Sequence, residues 1–452
     1  ACVHFFFAVF VSGKMEKSFL TCANQENETT TRMGEQKKFV VGIHIGTSGT
    51  GFSYAYINDR SGNVFSYRDW TDHPDGICFK NLNAILFDTL DETADSWGYS
   101  ARKDQSMQDS DDEDEKKVLF TFSPSDLKNL DGFLEQDGFK LPIKTIVREY
   151  LTLVKDEVMN SISRHNADIS LSEIRWIFSI PHDWEDIHVT SFKHFLLELM
   201  LFEDYIEGSH PDVLLVNELE AIAMYCIEKD SRKCLQANRT IMIVGAEVAS
   251  VDLAILILDE HCKLKIVSIP AVGNMLGSTV LDDEFDTILN EHFTKEKFDQ
   301  FKRDQPLIYT SLLDSWNEAK SKVKDLKKPL SFNIPPKFAH RFSSSTLIDP
   351  DTLRFRLSAS RVERIFRKSL DNIVSHVKEQ LIETVFTLEK PVNFIFLIGS
   401  LRYTVERQLD PQCLLGDEAQ MHGTRLVLPD YHYDDVVQQG ATLLGFYGTS
   451  IL

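Results

Sequence analysis

The segment Gly46-Thr47-Ser48-Gly49-Thr50-Gly51 could bind a phosphate group through its backbone. It lies between two short apolar, β-branched runs, FVVGIHIG and GFSYAYI, and is therefore predicted to be the turn of a β-hairpin. Glycines accept positive φ, and a turn rich in glycine directs several N–H groups toward one point where an oxyanion can bind. The same pattern fits a plain turn, and it is not the G-x-x-x-x-G-K-[ST] pattern of a P-loop.

A second hairpin of the same design is predicted further along the chain. Residues 240–258, TIMIVGAEVASVDLAILIL, show a strand, a turn of small residues and a strand, as residues 39–57 do. Such similarity at a spacing of roughly 200 residues indicates two pseudo-repeated lobes. Strands alternate with helices through most of the chain, so we predict an α/β protein with mixed sheets flanked by helices.

The hydrophobic periodicity predicts the remaining elements. Strands are expected at 83–87, 174–181, 212–218, 263–273 and 392–400. Helices are expected at 142–163, 188–201, 219–230, near 281–303, 308–326, 358–387 and 438–446.

Composition limits the classes of partner. The chain has 452 residues and a formal net charge of −21, from 48 basic and 69 acidic side chains. Nucleic acid and anionic membranes need a positive surface, so neither is predicted as the main partner. The 7 cysteines form no C-x-x-C pair, which predicts reduced thiols in a cytoplasmic protein and no metal centre.

The beginning of the sequence predicts no folded structure. Residues 2–11, CVHFFFAVFV, are far fewer than the roughly 20 that a membrane-spanning helix needs. We interpret residues 1–14 as sequence upstream of a start at Met15, and residues 1–37 as a disordered leader.

Segments from about Phe39 to Gly445 carry a family resemblance through their order. They are VVGIHIGTSGTGFSYAY, IFSIPHDW, VNELEAIAMYC, IVGAEVASVDLAIL, GNMLGSTVLDDEFDTIL, FIFLIGSLR and DDVVQQGATLLG. This order resembles the actin-like ATPase superfamily, within it the 70-kDa heat-shock protein family, and most closely that family's divergent member-12 branch. The resemblance implies a two-lobed actin-like ATPase fold, with duplicated ribonuclease-H-like lobes and a central nucleotide cleft.

The resemblance also implies a ligand and the residues that bind it. Lobe I would span residues 38–236 and lobe II residues 237–452, and the ligand would be ATP or ADP. The phosphates would bind at two loops, which supply Gly46, Thr47, Ser48, Gly49 and Ser250. The adenosine would be surrounded by Gly277, Ser278, a lysine that is either Lys320 or Lys322, Gly399 and Ser400.

Two departures from the family pattern bear on catalysis. The family has an Asp at the end of the first strand and another at the start of the second loop, whereas this chain has His44 and Gly245. Phosphoryl transfer to water needs a cation held by carboxylates, and a neutral imidazole does not suit Mg²⁺. The second loop also reads Glu247-Val248-Ala249-Ser250, in which an inward Glu247 would repel a triphosphate. These departures disfavour Mg²⁺, and no metal ligand is predicted.

Glu218 and Asp252 are the candidate catalytic residues that the resemblance leaves. Glu218 would position the attacking water, but it could instead cap the helix that follows. Asp252 would act near the second loop, or could be an ordinary strand residue. His44 fits either a strand residue hydrogen-bonded to a neighbouring backbone group or a pH-sensitive phosphate contact. No residue near 80–103 is assigned as the catalytic lysine of the family.

Three functions are therefore predicted in order of preference. The first is a divergent nucleotide-binding protein with weak or absent hydrolysis, lacking the family's peptide-binding domain because the sequence ends shortly after Gly445. The second is a Mg²⁺-dependent ATPase that uses Glu218 and Asp252. The third is a non-catalytic scaffold with an empty cleft, whose partners are proteins or co-chaperones.

Overall fold

The computed structural model describes residues 37–47, 49–59, 62–73, 78–89, 93–107, 117–164, 169–201, 212–229, 238–246, 251–260, 264–268, 278–399, 405–406, 424–428 and 435–447. Apart from Lys37, the predicted leader lies outside these residues. None of the helices that the structure describes is long and apolar enough to cross a membrane.

In chain order, the elements before residue 230 are β1 (Phe39–Gly46), β2 (Gly49–Tyr56), β3 (Phe65–Ser66), β4 (Ala84–Asp88), β5 (Ala94–Trp97), α1 (Gly98–Met107), β6 (Lys117–Thr121), β7 (Phe133–Gln136), β8 (Phe139–Pro142), α2 (Ile143–Ser163), β9 (Ile174–Ile180), α3 (Asp186–Leu201), β10 (Asp212–Asn217) and α4 (Glu218–Lys229). Those after it are β11 (Thr240–Ala246), β12 (Val251–Leu258), β13 (Leu264–Ser268), α5 (Ser278–Phe293), α6 (Lys295–Asp304), α7 (Pro306–Ser321), β14 (Leu330–Asn333), α8 (Pro336–Arg341), β15 (Ile348–Asp349), β16 (Arg354–Leu357), α9 (Ala359–Leu388), β17 (Phe394–Ile398), β18 (Arg425–Val427) and α10 (Val436–Tyr447).

The described residues form two compact units. The first unit takes those within Ala1–Tyr225 and Asp434–Leu452, and the second takes those within Cys226–Tyr433. Each unit is built on its own five-stranded mixed sheet, and helices pack against the strands. The predicted α/β class with mixed sheets and flanking helices is therefore confirmed.

The two five-stranded sheets have the same topology. In the first unit the order is β10-β9-β1-β2-β3, where β1 pairs antiparallel with β2 and parallel with β9. In the second unit the order is β13-β12-β11-β17-β18, where β11 pairs antiparallel with β12 and parallel with β17. The hairpins predicted at 39–57 and 240–258 thus occupy matching places in two similarly built sheets.

Each unit has its own hydrophobic core. In the first unit the core includes Trp176 on β9, Tyr150 on α2 and Phe192 on α3, all almost completely buried. In the second unit Trp316 on α7 stacks on Phe285 of α5, with ring centroids 4.2 Å apart. Burying aromatic rings of this size is a large part of what stabilises such a core.

The last helix joins the first unit, whereas we predicted residues 237–452 to form one lobe. α10 lies directly on β1, where a Cβ placed on Gly42 would come within 2.4 Å of the Gln438 carbonyl oxygen. The Thr442 hydroxyl donates to the Ser53 carbonyl of β2 at 3.1 Å. Small residues allow this close approach, so the chain returns to its first sheet at the end.

One predicted helix is divided in two. We expected a single helix near 281–303, but α5 ends at Phe293 and α6 begins at Lys295. Thr294 between them has a φ of 56°, a conformation that a β-branched residue rarely adopts. The Phe298 N–H donates to the Thr294 carbonyl, and this bond starts the new helix.

Candidate functional site: the end of the first hairpin

The predicted loop at Gly46–Gly49 is a tight turn. Gly46 pairs with Gly49 in the β1–β2 ladder, so only Thr47 and residue 48 connect the strands, and Thr47 is exposed. Gly49 has a φ of +140°, and a Cβ there would lie 2.2 Å from the Asn81 carbonyl oxygen. A glycine is therefore required at this position for both its backbone angle and its lack of a side chain.

Two asparagines hold the turn in place, and the sequence analysis assigned neither. The Thr50 N–H donates to the Asn81 carbonyl and the Asn81 N–H donates to the Thr50 carbonyl, each at 2.8 Å. The Thr50 hydroxyl donates to Asn83 Oδ1 at 2.7 Å, while Asn83 Nδ2 donates to the Gly46 carbonyl at 2.8 Å. One amide thus fixes both ends of the turn. The only sequence signal was the pair of asparagines in KNLNAILF, at the start of the strand predicted at 83–87.

His44 is buried beneath the turn. Its Nδ1 lies 2.9 Å from the Ser179 hydroxyl and 3.5 Å from Glu218 Oε1, and a Cβ placed on Gly46 would be 2.5 Å from its Nε2. Burial holds the pKa of the imidazole well below its ordinary value of 6.5, and the positive charge of Lys80 lowers it further. His44 is therefore a neutral side chain at neutral pH. It is bonded to a serine hydroxyl of β9, not to the neighbouring backbone group that one interpretation expected.

Glu218 is the first residue of α4, but other residues cap this helix. Asn217 Oδ1 accepts the Leu219 N–H at 2.8 Å, and Glu220 Oε2 accepts the Asn217 N–H at 3.2 Å. The Asn217 side chain thus caps the helix at its second residue, and the Glu220 carboxylate reaches back to the Asn217 N–H as in a capping box. The Glu218 carboxylate, with 22% of its side chain exposed, lies instead on the side of His44. The structure therefore places the Glu218 carboxylate and the Ser179 hydroxyl beside His44 of the first hairpin.

Lys80 adds a positive charge beside the turn. A Cβ placed on Gly49 would lie 3.4 Å from Lys80 Cβ, and one on Gly51 would lie 3.2 Å from Lys80 Cγ. The side chain therefore runs along β2, whose Gly51 is the ladder partner of His44. No residue of the 80–103 segment is predicted as the catalytic lysine of the family, and the structure shows only that the stem of Lys80 lies beside Gly49 and Gly51 of the hairpin.

The groups at this end of the sheet define what it can do chemically. Among the described residues, they include the neutral imidazole of His44, the hydroxyl of Ser179 and the carboxylate of Glu218, and the charge of Lys80 acts on the imidazole. Mg²⁺ prefers hard oxygen ligands, several of them carboxylates or waters that carboxylates orient, and this set does not fit that preference. Within the part of the chain that the structure describes, no group of three or more His, Cys, Asp or Glu side chains could hold a metal ion.

The second hairpin brings together two of the positions predicted for the second unit. Gly245 pairs with Asp252 across the hairpin and with Ile398 of β17. Gly399, the residue that follows β17, has a φ of +99°, and a Cβ there would lie 2.2 Å from the Ala246 carbonyl oxygen. Gly399 therefore lies against the start of the second loop. Asp252 is a strand residue opposite Gly245, and its side chain is outside the described set.

The two candidate lysines of the WNEAKSKVK helix differ in burial: Lys320 is buried and Lys322 is exposed. The Lys320 ammonium is completely buried and donates to Asp282 Oδ1 at 2.6 Å, the same oxygen that accepts Trp316 Nε1 at 2.7 Å. Burial lowers the pKa of Lys320, and Asp282 opposes that shift. Lys322 is exposed and pairs with Glu318 on the helix surface. The structure thus places Lys320 on a carboxylate of its own unit.

Several predicted positions lie outside the described residues. These are Ser48, the second-loop residues 247–250 with Ser250, Gly277 and Ser400. Ser278 is the first residue of α5, and its side chain is not among those described. Their contacts with a nucleotide stay predictions.

No protein-family model matches the chain. The chain is 21% identical to human heat shock 70 kDa protein 12A, in an alignment that covers 93% of this chain and 71% of that protein. Its identity to the mouse protein of the same name is also 21%, with 91% and 70% covered. This similarity supports a relationship to the heat-shock-70-like, actin-like ATPases. Together with the two similar mixed sheets, it supports the actin-like ATPase fold predicted from the motifs.

Proposed function

We propose that this protein is a divergent heat-shock-70-like protein that binds ATP or ADP and hydrolyses it weakly or not at all. One observation carries the proposal: the turn is built to hold a fixed shape, yet the side chain beneath it is the neutral, buried His44. A rigid turn with glycines at both ends suits a phosphate. A neutral imidazole in place of a carboxylate removes a group that hydrolysis in such a site needs.

The binding part is tested by thermal unfolding of the full chain with ADP and with ATP, each with and without Mg²⁺. A ligand that binds only the folded state stabilises it, by about 2.7 kcal/mol at a concentration of 100 Kd. We expect the melting temperature to rise with nucleotide. An unchanged melting temperature at millimolar nucleotide would overturn the proposal.

The catalytic part is tested by phosphate release from ATP in the unaltered protein and in Glu218→Gln. We expect release at the buffer rate in both, because Glu218 alone does not hold a cation. Release above background that disappears in Glu218→Gln would establish the alternative, a working ATPase.

The correspondence of His44 and Gly245 with the family's two aspartates is tested by changing both residues to Asp. The carboxylate introduced at residue 44 would lie close to Glu218, and two carboxylates at that distance repel each other unless a cation binds between them. We therefore expect nucleotide binding by the double variant to become dependent on Mg²⁺. An unchanged dependence on Mg²⁺ would show that the loops are wrongly assigned.

A protein-interaction scaffold is the second candidate, and one surface feature favours it. Ile382 and Phe386 lie one turn apart near the end of α9, with 54% and 87% of their surfaces exposed. Adjacent large apolar side chains on a surface are typical of a protein contact. This candidate predicts that nucleotide leaves the melting temperature unchanged, so any saturable rise contradicts it.

A further inference from the structure

We propose that the connection between α7 and β14 forms a basic surface that binds a short acidic segment of a partner protein. The basic surface consists of the side chains of Lys324, Lys327, Lys328 and Arg354, all in the second unit. Binding there requires no nucleotide, so it is independent of the proposed function.

Positive charge is concentrated at this point of an acidic chain. Five of the nine residues 320–328, KSKVKDLKK, are lysines and one is acidic, whereas the whole chain has a net charge of −21. Lys320 is buried against Asp282, and Lys322 pairs with Glu318 on the helix surface. The other three lysines are exposed. A run of like charges in a protein of the opposite net charge is typical of an interaction surface.

The apolar residues of the connection direct its lysines toward solvent. Val323 is almost completely buried and Leu326 packs against the core of the second unit, whereas the lysines around them are exposed. The Lys327 N–H donates to Asp325 Oδ1 at 3.0 Å, and the Lys328 N–H donates to the Asp325 carbonyl at 3.1 Å. The one acidic residue of the segment thus forms a turn that fixes the backbone of these two lysines.

Arg354 adds a positive charge from the neighbouring strand β16. Its Nε donates to Ser331 Oγ and its Nη2 donates to the Ser331 carbonyl, each at 2.9 Å. The guanidinium group therefore lies at Ser331 of β14, three residues after Lys328. Within the part of the chain that the structure describes, Lys327, Lys328 and Arg354 form no ion pair. Their charges are available to a partner.

The composition of this surface favours a short acidic segment over a nucleic acid or a membrane. Single-stranded nucleic acids stack their bases on aromatic side chains, and membranes take up apolar side chains. None of the exposed large hydrophobic side chains that the structure describes lies within residues 320–358. An extended polyanion would also be repelled by the rest of an acidic protein, whereas a few carboxylates contact only the basic surface.

Fluorescence anisotropy of a labelled octaglutamate peptide, titrated with the full chain, tests the proposal. Exposed ion pairs are individually weak and are screened by salt, so the titration is made at an ionic strength of about 0.01 M. We expect octaglutamate to bind, octaglutamine of the same length not to bind, and the binding to weaken as salt is added.

Two double variants locate the binding. Lys327→Glu with Lys328→Glu should weaken octaglutamate binding by about tenfold or more, because two attractions become repulsions. Lys295→Glu with Lys297→Glu is the matched control, since it makes the same change in net charge at two exposed lysines of α6. The control should bind within about twofold of the unaltered protein. All four lysines are exposed, so both variants should keep the circular dichroism spectrum of the unaltered protein.

Four results would overturn the proposal. They are no binding of octaglutamate, equal binding of the two peptides, equal weakening by the two double variants, and tighter binding of a DNA duplex or of phosphatidylserine vesicles that is lost in the Lys327→Glu, Lys328→Glu variant. The comparison of the two peptides needs no variant. Since no nucleotide is present, each of these results leaves the proposed function intact.

Discussion

The two units share one strand order and differ in what lies at the end of the central hairpin. In the first unit β1 returns into β2 after two residues, and His44 is buried beneath the turn. In the second unit β11 pairs with β12 up to Ala246 and Val251, so four residues connect them, and the family resemblance predicts that Gly245 corresponds to His44. Neither position carries a carboxylate. Two sheets of the same topology therefore carry different residues at the ends of their central hairpins.

The lysines of the two units differ in the same way. Lys80 lies along the first hairpin, where its charge acts on His44. Lys320 is buried against Asp282 and Trp316 within the second unit. We therefore expect changes at Lys80 to alter ligand binding, and changes at the Lys320 pair to alter stability.

Asp282→Asn should lower the free energy of unfolding by about 3 kcal/mol, because it leaves the buried Lys320 ammonium without its counter-charge. Denaturant unfolding measures the effect. Combining it with Lys320→Met should recover most of the loss, since both charged groups are then gone. Glu318→Gln removes the partner of the exposed Lys322 and should cost less than about 0.5 kcal/mol. Equal losses from the two substitutions would contradict a structural role for the pair of Lys320 and Asp282.

Gly49→Ala should cost about 2–3 kcal/mol and abolish nucleotide binding, since the new methyl group would meet the Asn81 carbonyl at a φ that alanine rarely adopts. Gly138→Ala is the matched control: its φ is +79°, and a Cβ there meets nothing within 4 Å. That control should cost about 1 kcal/mol for its backbone angle alone. Chemical denaturation gives both values, and a Gly49→Ala protein as stable as the control would show that the turn is not held by Asn81.

Asn83→Ala should cost about 2 kcal/mol, because it leaves the Thr50 hydroxyl and the Gly46 carbonyl without the bonds that fix the turn. Nucleotide affinity should fall in parallel, as the turn loses its defined shape. Asn317→Ala changes an exposed asparagine of α7 and should alter stability by less than about 0.5 kcal/mol. An unchanged nucleotide affinity in a folded Asn83→Ala protein would remove the turn from the binding site.

His44→Gln should alter how stability depends on pH. The folded-state pKa of His44 is depressed, so near pH 6.5 only the unfolded chain takes up a proton at this residue. His44 therefore has no effect on the pH dependence of stability well above pH 6.5. As the pH falls below 6.5, the free energy of unfolding decreases by at most about 1.4 kcal/mol per pH unit. Unfolding at pH 7 and at pH 5 should show a smaller loss for His44→Gln than for the unaltered protein. Equal losses would mean that His44 becomes protonated in the folded state.

The sequence predicted the hairpins because their strands are apolar runs that end at small residues, and both were found where expected. It also indicated that Glu218 lies near the first hairpin, through the order of motifs. It did not predict Asn83 or Ser179, because their roles depend on hydrogen bonds between residues more than 30 and more than 130 positions apart. Local sequence patterns do not indicate contacts between residues so far apart.

The sheet on which the last helix packs was also not predicted, because it too depends on contacts between residues that are distant in the sequence. Its amphipathic pattern predicted a helix at 438–446, and α10 is that helix. Which sheet it packs on depends on small residues such as Gly42 and Gly445, which allow close contact with β1 and β9. Lys320 could be separated from Lys322 only once the helix surface that faces Asp282 was known. Periodicity predicted the elements, whereas their partners required the structure.

Phosphorus NMR of ATP mixed with an equal amount of the full chain, recorded over time, tests the central claim most directly. We predict that the β- and γ-phosphate signals shift or broaden, and that inorganic phosphate forms no faster than it does in buffer alone. Unshifted, sharp ATP signals would contradict binding. A growing phosphate signal that Glu218→Gln abolishes would contradict the claim that the site binds nucleotide without efficient hydrolysis.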